Sequence, residues 1–106
     1  MPYIEVKGKK IEINEEGFLV NPSDWNKEVA EFLAKKEEQI EKLTDEHWAV
    51  INYIRQYYLE NNLAPMVRKV CKNTGLTLKK IFELFPSGPA KGACKIAGLP
   101  KPDGCV

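Results

Sequence analysis

The sequence predicts a mainly helical α+β fold: a small N-terminal β-hairpin packed on a helical bundle, followed by a flexible C-terminal arm. Three patterns carry this prediction. Residues 3–13 alternate apolar and polar side chains around a glycine, which is typical of a hairpin with one buried face. Residues 21–85 place apolar side chains at helical spacing between start and stop signals. From Pro86 onward, eight of the last twenty-one residues are glycine or proline, which disfavours helices and strands.

Within this scheme, residues 18–20 are expected to add a third short strand after the hairpin. Four start signals then divide the helical region, each made of a capping residue or a proline suited to the first helical turn. They are, in chain order, Asn21-Pro22-Ser23-Asp24, Thr44-Asp45-Glu46, Pro65 and Thr77. The second helix is apolar on most sides, which indicates a central position. It is expected to end at Asn61-Asn62, and Pro86 is expected to stop the fourth helix.

We therefore predict a single globular domain over residues 1–85, with the hairpin region at 1–20 and the helices at 21–85. Residues 86–106 are predicted to form a mobile arm, because Ile96, Leu99 and Val106 alone are too few to anchor it by burial. A chain of 106 residues supports one modest core. No apolar run is long enough to span a membrane, and no secretory leader pattern opens the chain. We expect a cytoplasmic protein.

The charge distribution is uneven. The formal net charge is +1, but residues 64–106 carry eight basic and two acidic side chains. Such a field favours an acidic partner or an anionic ligand, and nucleic acid is one candidate.

Residues 65–85 have the form of a helix-turn-helix, with Gly75 in the turn. The second of these helices offers Lys79 and Lys80 beside Glu83 and has no Arg, Asn or Gln. Those are the residues that make bidentate contacts to base edges, so sequence-specific DNA binding is not expected. We interpret the motif as a packing and docking unit, and a DNA-binding regulator remains the alternative from another functional class.

The cysteines are the most informative residues. Three are too few for a disulfide scaffold. Cys71 lies on the apolar side of the third helix, which favours a structural role. Cys94 and Cys105 both lie on the arm with ten residues between them, so a bridge between them is sterically easy. The arm could extend roughly 60 Å at about 3.3 Å per residue, far enough to enter a channel in a partner.

Electrostatics around the two arm cysteines are mixed. The basic residues near them, Lys91, Lys95 and Lys101, are expected to favour a thiolate. Asp103 and the terminal carboxylate oppose this at Cys105, so its full activation is expected to need positive charge from a partner.

Other kinds of site find little support. His47 stands alone at a helix start and is interpreted as a capping or half-buried residue. The chain has no zinc-ligand pattern, glycine-rich phosphate loop or nucleophile elbow. We therefore expect no cofactor bound by this chain itself, and favour a thiol-based carrier over an enzyme. Arg68 belongs to a basic face that is a candidate docking surface.

Several segments resemble those of the DsrC/TusE family, also called the gamma subunit of dissimilatory sulfite reductase. They are GFLVNPSDWN at 17–26, PMVRKVCKNTG at 65–75, LFPSGPAKGACKIAGLPKP at 84–102 and the closing Cys-Val. Members of the DsrC type keep both arm cysteines, whereas TusE-type members, relays in tRNA thiolation, generally lack the earlier one. The presence of Cys94 makes this chain similar to the DsrC type.

This resemblance implies a cytoplasmic sulfur carrier, monomeric when free, that acts as a co-substrate of sulfite reductase. It implies that the arm enters the catalytic subunits, where sirohaem and an iron–sulfur cluster reside. Cys105 would accept sulfur as a persulfide, and Cys94 would then attack to give a trisulfide. A membrane-bound trisulfide reductase complex would release sulfide. The alternative within sulfur chemistry is a sulfurtransferase relay to another acceptor, in tRNA thiolation or sulfur oxidation.

Overall fold

The computed structural model describes residues 2–88 and 92–100, and its elements follow the predicted order. They are β1 (Tyr3–Val6), β2 (Lys9–Glu12), a 3-10 helix (Pro22–Asp24), α1 (Lys27–Glu38), α2 (Asp45–Asn61), α3 (Val67–Thr74), α4 (Leu78–Leu84) and α5 (Cys94–Ile96). The mainly helical fold with a small hairpin is confirmed. Within the described residues, the helices are all too short or too polar to cross a bilayer.

The hairpin pairs β1 and β2 antiparallel, with Ile4 opposite Ile11 and both side chains buried. Its two-residue turn is Lys7-Gly8, and both residues have positive φ, as the favoured tight hairpin turn requires. The third strand expected at residues 18–20 is reduced to a single bridge between Ile13 and Leu19. Its register is set by a turn in which the Asn14 carboxamide accepts from two backbone N–H groups.

The first helix begins later than the sequence predicts. Asn21 caps only the 3-10 helix, accepting from the N–H of Ser23. The chain then extends through Trp25, and a second cap, Asn26, accepts from the N–H of Val29 to open α1. Because the two capping residues lie five positions apart, the chain forms a 3-10 helix and then α1 instead of one continuous helix. Trp25 lies between the two helices and belongs to neither.

The remaining helix boundaries follow the predicted signals closely. Thr44 and His47 form a reciprocal capping box at the start of α2, and Asn62 ends it in the left-handed conformation. His47 is buried, and its Nε2 lies 2.9 Å from the carbonyl oxygen of Leu84. Thr77 caps α4 as predicted. Met66, without a side-chain cap, precedes α3.

The core contains residues from the hairpin, all four longer helices and the segment 92–100. This last contribution corrects the predicted boundary at residue 85. Ala93, Cys94, Ile96, Ala97 and Leu99 are each at most 1% exposed, and α5 packs against α1 and α2.

Ile96 and Leu99 anchor this segment by burial. Most of its other residues are small, which allows its backbone to approach the helices closely. The expectation of a free arm from Pro86 is therefore wrong for residues 92–100. Residues 86–88 are also held against the body, because the Ser87 N–H and hydroxyl donate to the Glu38 carboxylate. Residues 89–91 and 101–106, including Cys105, lie outside the described residues.

Candidate functional site around Cys94

Cys94 is the first residue of α5, and its thiol is fully buried. Burial in apolar surroundings disfavours the charged thiolate and raises the pKa of Cys94 from 9.0 to about 12. Very little of this thiol is then ionised at pH 7, and the thiolate is the form that reacts. In the fold, burial therefore outweighs any support that Lys95 gives to a thiolate at this cysteine. Lys91 and Lys101 lie outside the described residues.

The turn after α5 satisfies two of the carbonyl groups at the end of this short helix. Gly98 has φ +78°, in the left-handed region. The N–H of Gly98 donates to the Lys95 carbonyl at 3.0 Å, and the N–H of Leu99 donates to the Cys94 carbonyl at 3.2 Å. These two bonds define a Schellman motif, with glycine at its left-handed position.

The turn leaves the Ile96 and Ala97 carbonyls without a main-chain partner, and two side chains from other parts of the chain donate hydrogen bonds to them. The Trp25 indole Nε1–H donates to the Ile96 carbonyl oxygen at 2.8 Å. The Arg55 guanidinium donates through Nη1 to the Ala97 carbonyl oxygen at 3.0 Å. All four carbonyls from Cys94 to Ala97 thus have partners, and the end of α5 is held from outside the segment.

Arg55 is the centre of this arrangement. Its Nη2 donates to the Pro22 carbonyl oxygen at 2.8 Å, and its guanidinium lies over the Trp25 ring at 4.3 Å. Burial lowers the pKa of Arg55, although a guanidinium stays charged at neutral pH. One planar fork therefore joins α2, the 3-10 helix and the turn after α5, a geometry that a lysine cannot reproduce.

Lys95 is paired within the fold. Its Nζ lies 3.5 Å from the Glu37 carboxylate and 5.2 Å from the centre of the Phe18 ring, and its side chain is 13% exposed. Its charge is thus directed to the end of α1.

Glu38 secures the chain just before the segment. Its carboxylate, largely buried, accepts from the Ser87 N–H at 2.8 Å and from the Ser87 hydroxyl at 2.7 Å. Gly92 packs so closely that an added Cβ would meet Glu38 Oε1 and would lie 3.0 Å from the Cβ of Phe85. The segment is therefore held from α1 at its beginning and by Trp25 and Arg55 at its end.

Sequence reasoning missed Trp25, Arg55 and Glu38. The signal for Arg55 was present: it is the one lysine or arginine between Thr44 and Asn62, in a helix otherwise interpreted as apolar and central. A charged group at such a position needs buried partners. Trp25 and Glu38 carried no comparable signal, because their partners, the Ile96 carbonyl and the N–H and hydroxyl of Ser87, belong to residues far along the sequence.

The other predicted site residues lie elsewhere. Arg68 is exposed on α3 and, with Met66, Lys69 and Lys72, lines an open surface depression. Cys71 is half-buried against the core, less enclosed than its interpretation as structural implied. Among residues 2–88 and 92–100, the acidic, histidine and cysteine side chains form no cluster suited to a metal ion.

Comparisons with known proteins identify the family of this chain. The family model described as "DsrC like protein" matches residues 5–106. "Sulfite reductase, dissimilatory-type subunit gamma" from Nitratidesulfovibrio vulgaris is 50% identical over 106 residues, covering 100% of both chains. "Sulfurtransferase TusE" from Buchnera aphidicola subsp. Schizaphis graminum is 46% identical over 105 residues, covering 92% of this chain and 90% of the relative.

A solved structure extends this likeness to the fold. The crystal structure of the oxidized gamma-subunit of dissimilatory sulfite reductase (DsrC) from Archaeoglobus fulgidus superposes with a TM-score of 0.88. It is 48% identical, and the match covers 99% of this chain and 100% of that one. With a family model matched from residue 5 to the end and full-length relatives at this identity, the chain belongs to the DsrC family.

Proposed function

We propose that this protein is a sulfur carrier that acts as a co-substrate of a dissimilatory sulfite reductase. One observation carries the proposal: a chain that matches a gamma subunit over its whole length also holds two cysteines, Cys94 and Cys105, ten residues apart. Two thiols at this spacing can hold one sulfur atom between them, the first as acceptor and the second as resolving group. No cofactor of this chain takes part.

In the proposed reaction Cys105 loads first, because it lies farther along the chain from the folded body than Cys94 and can enter a narrow channel ahead of it. The reductase passes two electrons to sulfite, and the sulfur bonds to Cys105 with loss of two water molecules. The adduct is a persulfide that still carries oxygen, Cys105–S–S–OH. Sirohaem and an iron–sulfur cluster in the reductase would supply the electrons.

Cys94 acts second. Its sulfur attacks the outer sulfur of the adduct, and the hydroxyl leaves as water with the thiol proton, which gives the trisulfide Cys94–S–S–S–Cys105. No further oxidant is needed, whereas a fully reduced persulfide, Cys105–S–SH, would have to lose two electrons to form the same bridge. Four electrons and four protons then return both thiols and release hydrogen sulfide, a step we assign to a membrane-bound reductase complex.

The docking surface in this proposal is the basic face that includes Arg68. Residues 64–106 carry a net charge of +6 in a chain of +1, which favours an acidic partner surface. We place the carrier in the cytoplasm, as a monomer between encounters with its partners.

A sulfurtransferase relay is the second candidate, and the TusE relatives favour it. A relay needs only Cys105 to take up sulfur and pass it to another acceptor, as in tRNA thiolation or in the oxidative direction. The retained Cys94 favours the two-cysteine carrier, because a simple relay has no use for a resolving thiol.

Variants in which one cysteine is replaced test the proposal. Each is incubated with sulfite reductase, sulfite and an electron donor, and its mass is measured by intact-protein mass spectrometry. Cys105→Ala should abolish loading. Cys94→Ala should still load Cys105 but should form no bridged product. Cys71→Ala is the matched control and should behave as the parent protein does.

Loading that persists without Cys105, or a bridged product without Cys94, would contradict the carrier mechanism. Loading of Cys105 that proceeds equally well with or without Cys94, with no bridged species in the parent protein, would favour the relay. Sequence-selective binding to duplex DNA in a salt titration would instead support the regulator considered from the helix-turn-helix.

A further inference from the structure

The position of Cys94 conflicts with the role proposed for it. A resolving thiol has to reach sulfur held on another cysteine, yet the docked Cys94 is fully buried among α1, α2 and its own helix. The attack in the proposed function therefore requires the segment 92–100 to leave its place first. What holds this segment in place decides when Cys94 can react.

Apolar burial and side-chain hydrogen bonds both hold the segment, but the hydrogen bonds are the part that can be released as a unit. Trp25 and Arg55 bind the Ile96 and Ala97 carbonyls, stack on one another, and both come from elements outside the segment. If either moves, a buried carbonyl loses its partner, and a buried acceptor without a partner is costly. The two carbonyls can then accept hydrogen bonds only from water, and water reaches them only if the end of α5 moves away from the body.

We infer that Arg55 and Trp25 are positioning residues for Cys94: together they keep α5 docked and the thiol protected, and their release is the step that frees Cys94 to attack. This inference rests on the proposed function for its purpose, but the physical coupling between Arg55 and the exposure of Cys94 stands without it. The covalent step is the one written above. The same coupling protects Cys94 from premature oxidation while the carrier is unloaded.

Arg55 is the better residue to test, because the chain has two arginines and the second, Arg68, is exposed on α3. In a Cys105→Ala background, Cys71 and Cys94 are the remaining thiols. Each is labelled with N-ethylmaleimide at pH 8 in the native protein, and the two rates are followed separately by peptide mass mapping. No reductase and no sulfur compound is present, so the result does not depend on whether the carrier mechanism is correct.

The Arg55→Gln variant should label Cys94 roughly tenfold to a hundredfold faster than the parent, as expected when hydrogen bonds from a charged group are lost. Arg55→Lys keeps the charge but not the fork, and should give an intermediate rate. The Arg68→Gln control should leave the Cys94 rate unchanged. The Cys71 rate should stay the same in all variants, because α3 is not part of the arrangement.

Equal Cys94 rates in Arg55→Gln and the parent would overturn the inference. Cys71 and Cys94 rates that rise together by the same factor would also overturn it, because that pattern reports general destabilisation. If the Arg55 variants fail to fold, Trp25→Phe is compared with the parent protein in the same labelling experiment. Phenylalanine keeps an aromatic ring for stacking and lacks the Nε1–H donor. It should raise the Cys94 rate selectively, and an unchanged rate there would count against the inference in the same way.

Discussion

Gly98 offers a sharp test of how the Cys94 segment is docked, because the chain contains a matched control. Gly98 and Gly75 have nearly equal φ values, +78° and +77°, and both follow a helix end. An added Cβ at residue 75 would meet no atom within 4 Å, whereas at residue 98 it would clash with the Trp25 ring, 2.6 Å from Cγ. Replacing each glycine by alanine therefore imposes the same backbone strain but only one steric clash.

The expected magnitudes follow from these contacts. Left-handed backbone costs an alanine about 1 to 2 kcal/mol, so Gly75→Ala should lower the free energy of unfolding by about that amount. Gly98→Ala adds overpacking against Trp25, about 1 to 3 kcal/mol, and about 1 kcal/mol for the strained indole hydrogen bond to Ile96. The difference between the two variants should be about 2 to 4 kcal/mol.

Urea denaturation of both variants measures this difference, and labelling of Cys94 by N-ethylmaleimide reports whether the segment has lifted. Gly98→Ala should be the less stable variant and should label Cys94 faster, while Gly75→Ala should label it at the parent rate. Equal losses of stability in the two variants, with equal Cys94 labelling, would refute the docked arrangement of Trp25 against Gly98.

Two further predictions concern buried polar groups near this segment. Burial lowers the pKa of His47 below 6.5, so protonation favours the unfolded chain. The free energy of unfolding, measured by urea titration, should be fully retained above pH 6.5 and fall as the pH is lowered below it. His47→Gln, which keeps a capping side chain, should fall less steeply. At the Ser87 contact, Glu38→Ala should cost about 2 to 3 kcal/mol by leaving the Ser87 N–H unpaired, whereas Glu38→Gln should cost less than about 1 because an amide can serve both Ser87 groups. A steeper fall in His47→Gln, or equal costs at Glu38, would contradict these assignments.

Local signals in the sequence were enough to predict most of the architecture. Helix ends depend on residues within one turn of the boundary, so the caps at Thr44 and Thr77 and the stops at Asn62 and Gly75 could be located from neighbours alone. The start of α1 was misplaced because Asn21 and Asn26 are both good caps, and nothing local decides between them. The cysteine pair was also visible, since spacing along the chain is itself a sequence property.

The state of Cys94 was decided by the tertiary structure. A segment of small residues, glycine and proline has little propensity for helix or strand, and from composition it is indistinguishable from a free arm. Its docking depends on Trp25 and Arg55, which reach it across 71 and 42 residues of chain, and on Glu38, which holds Ser87 just before it across 49 residues. Contacts at such separation leave no periodicity in the sequence, because most of them join a side chain to a main-chain group, and main-chain groups do not depend on residue type. Hence the same cysteine that the sequence marks as reactive is, in the fold, a buried thiol whose pKa desolvation raises to about 12.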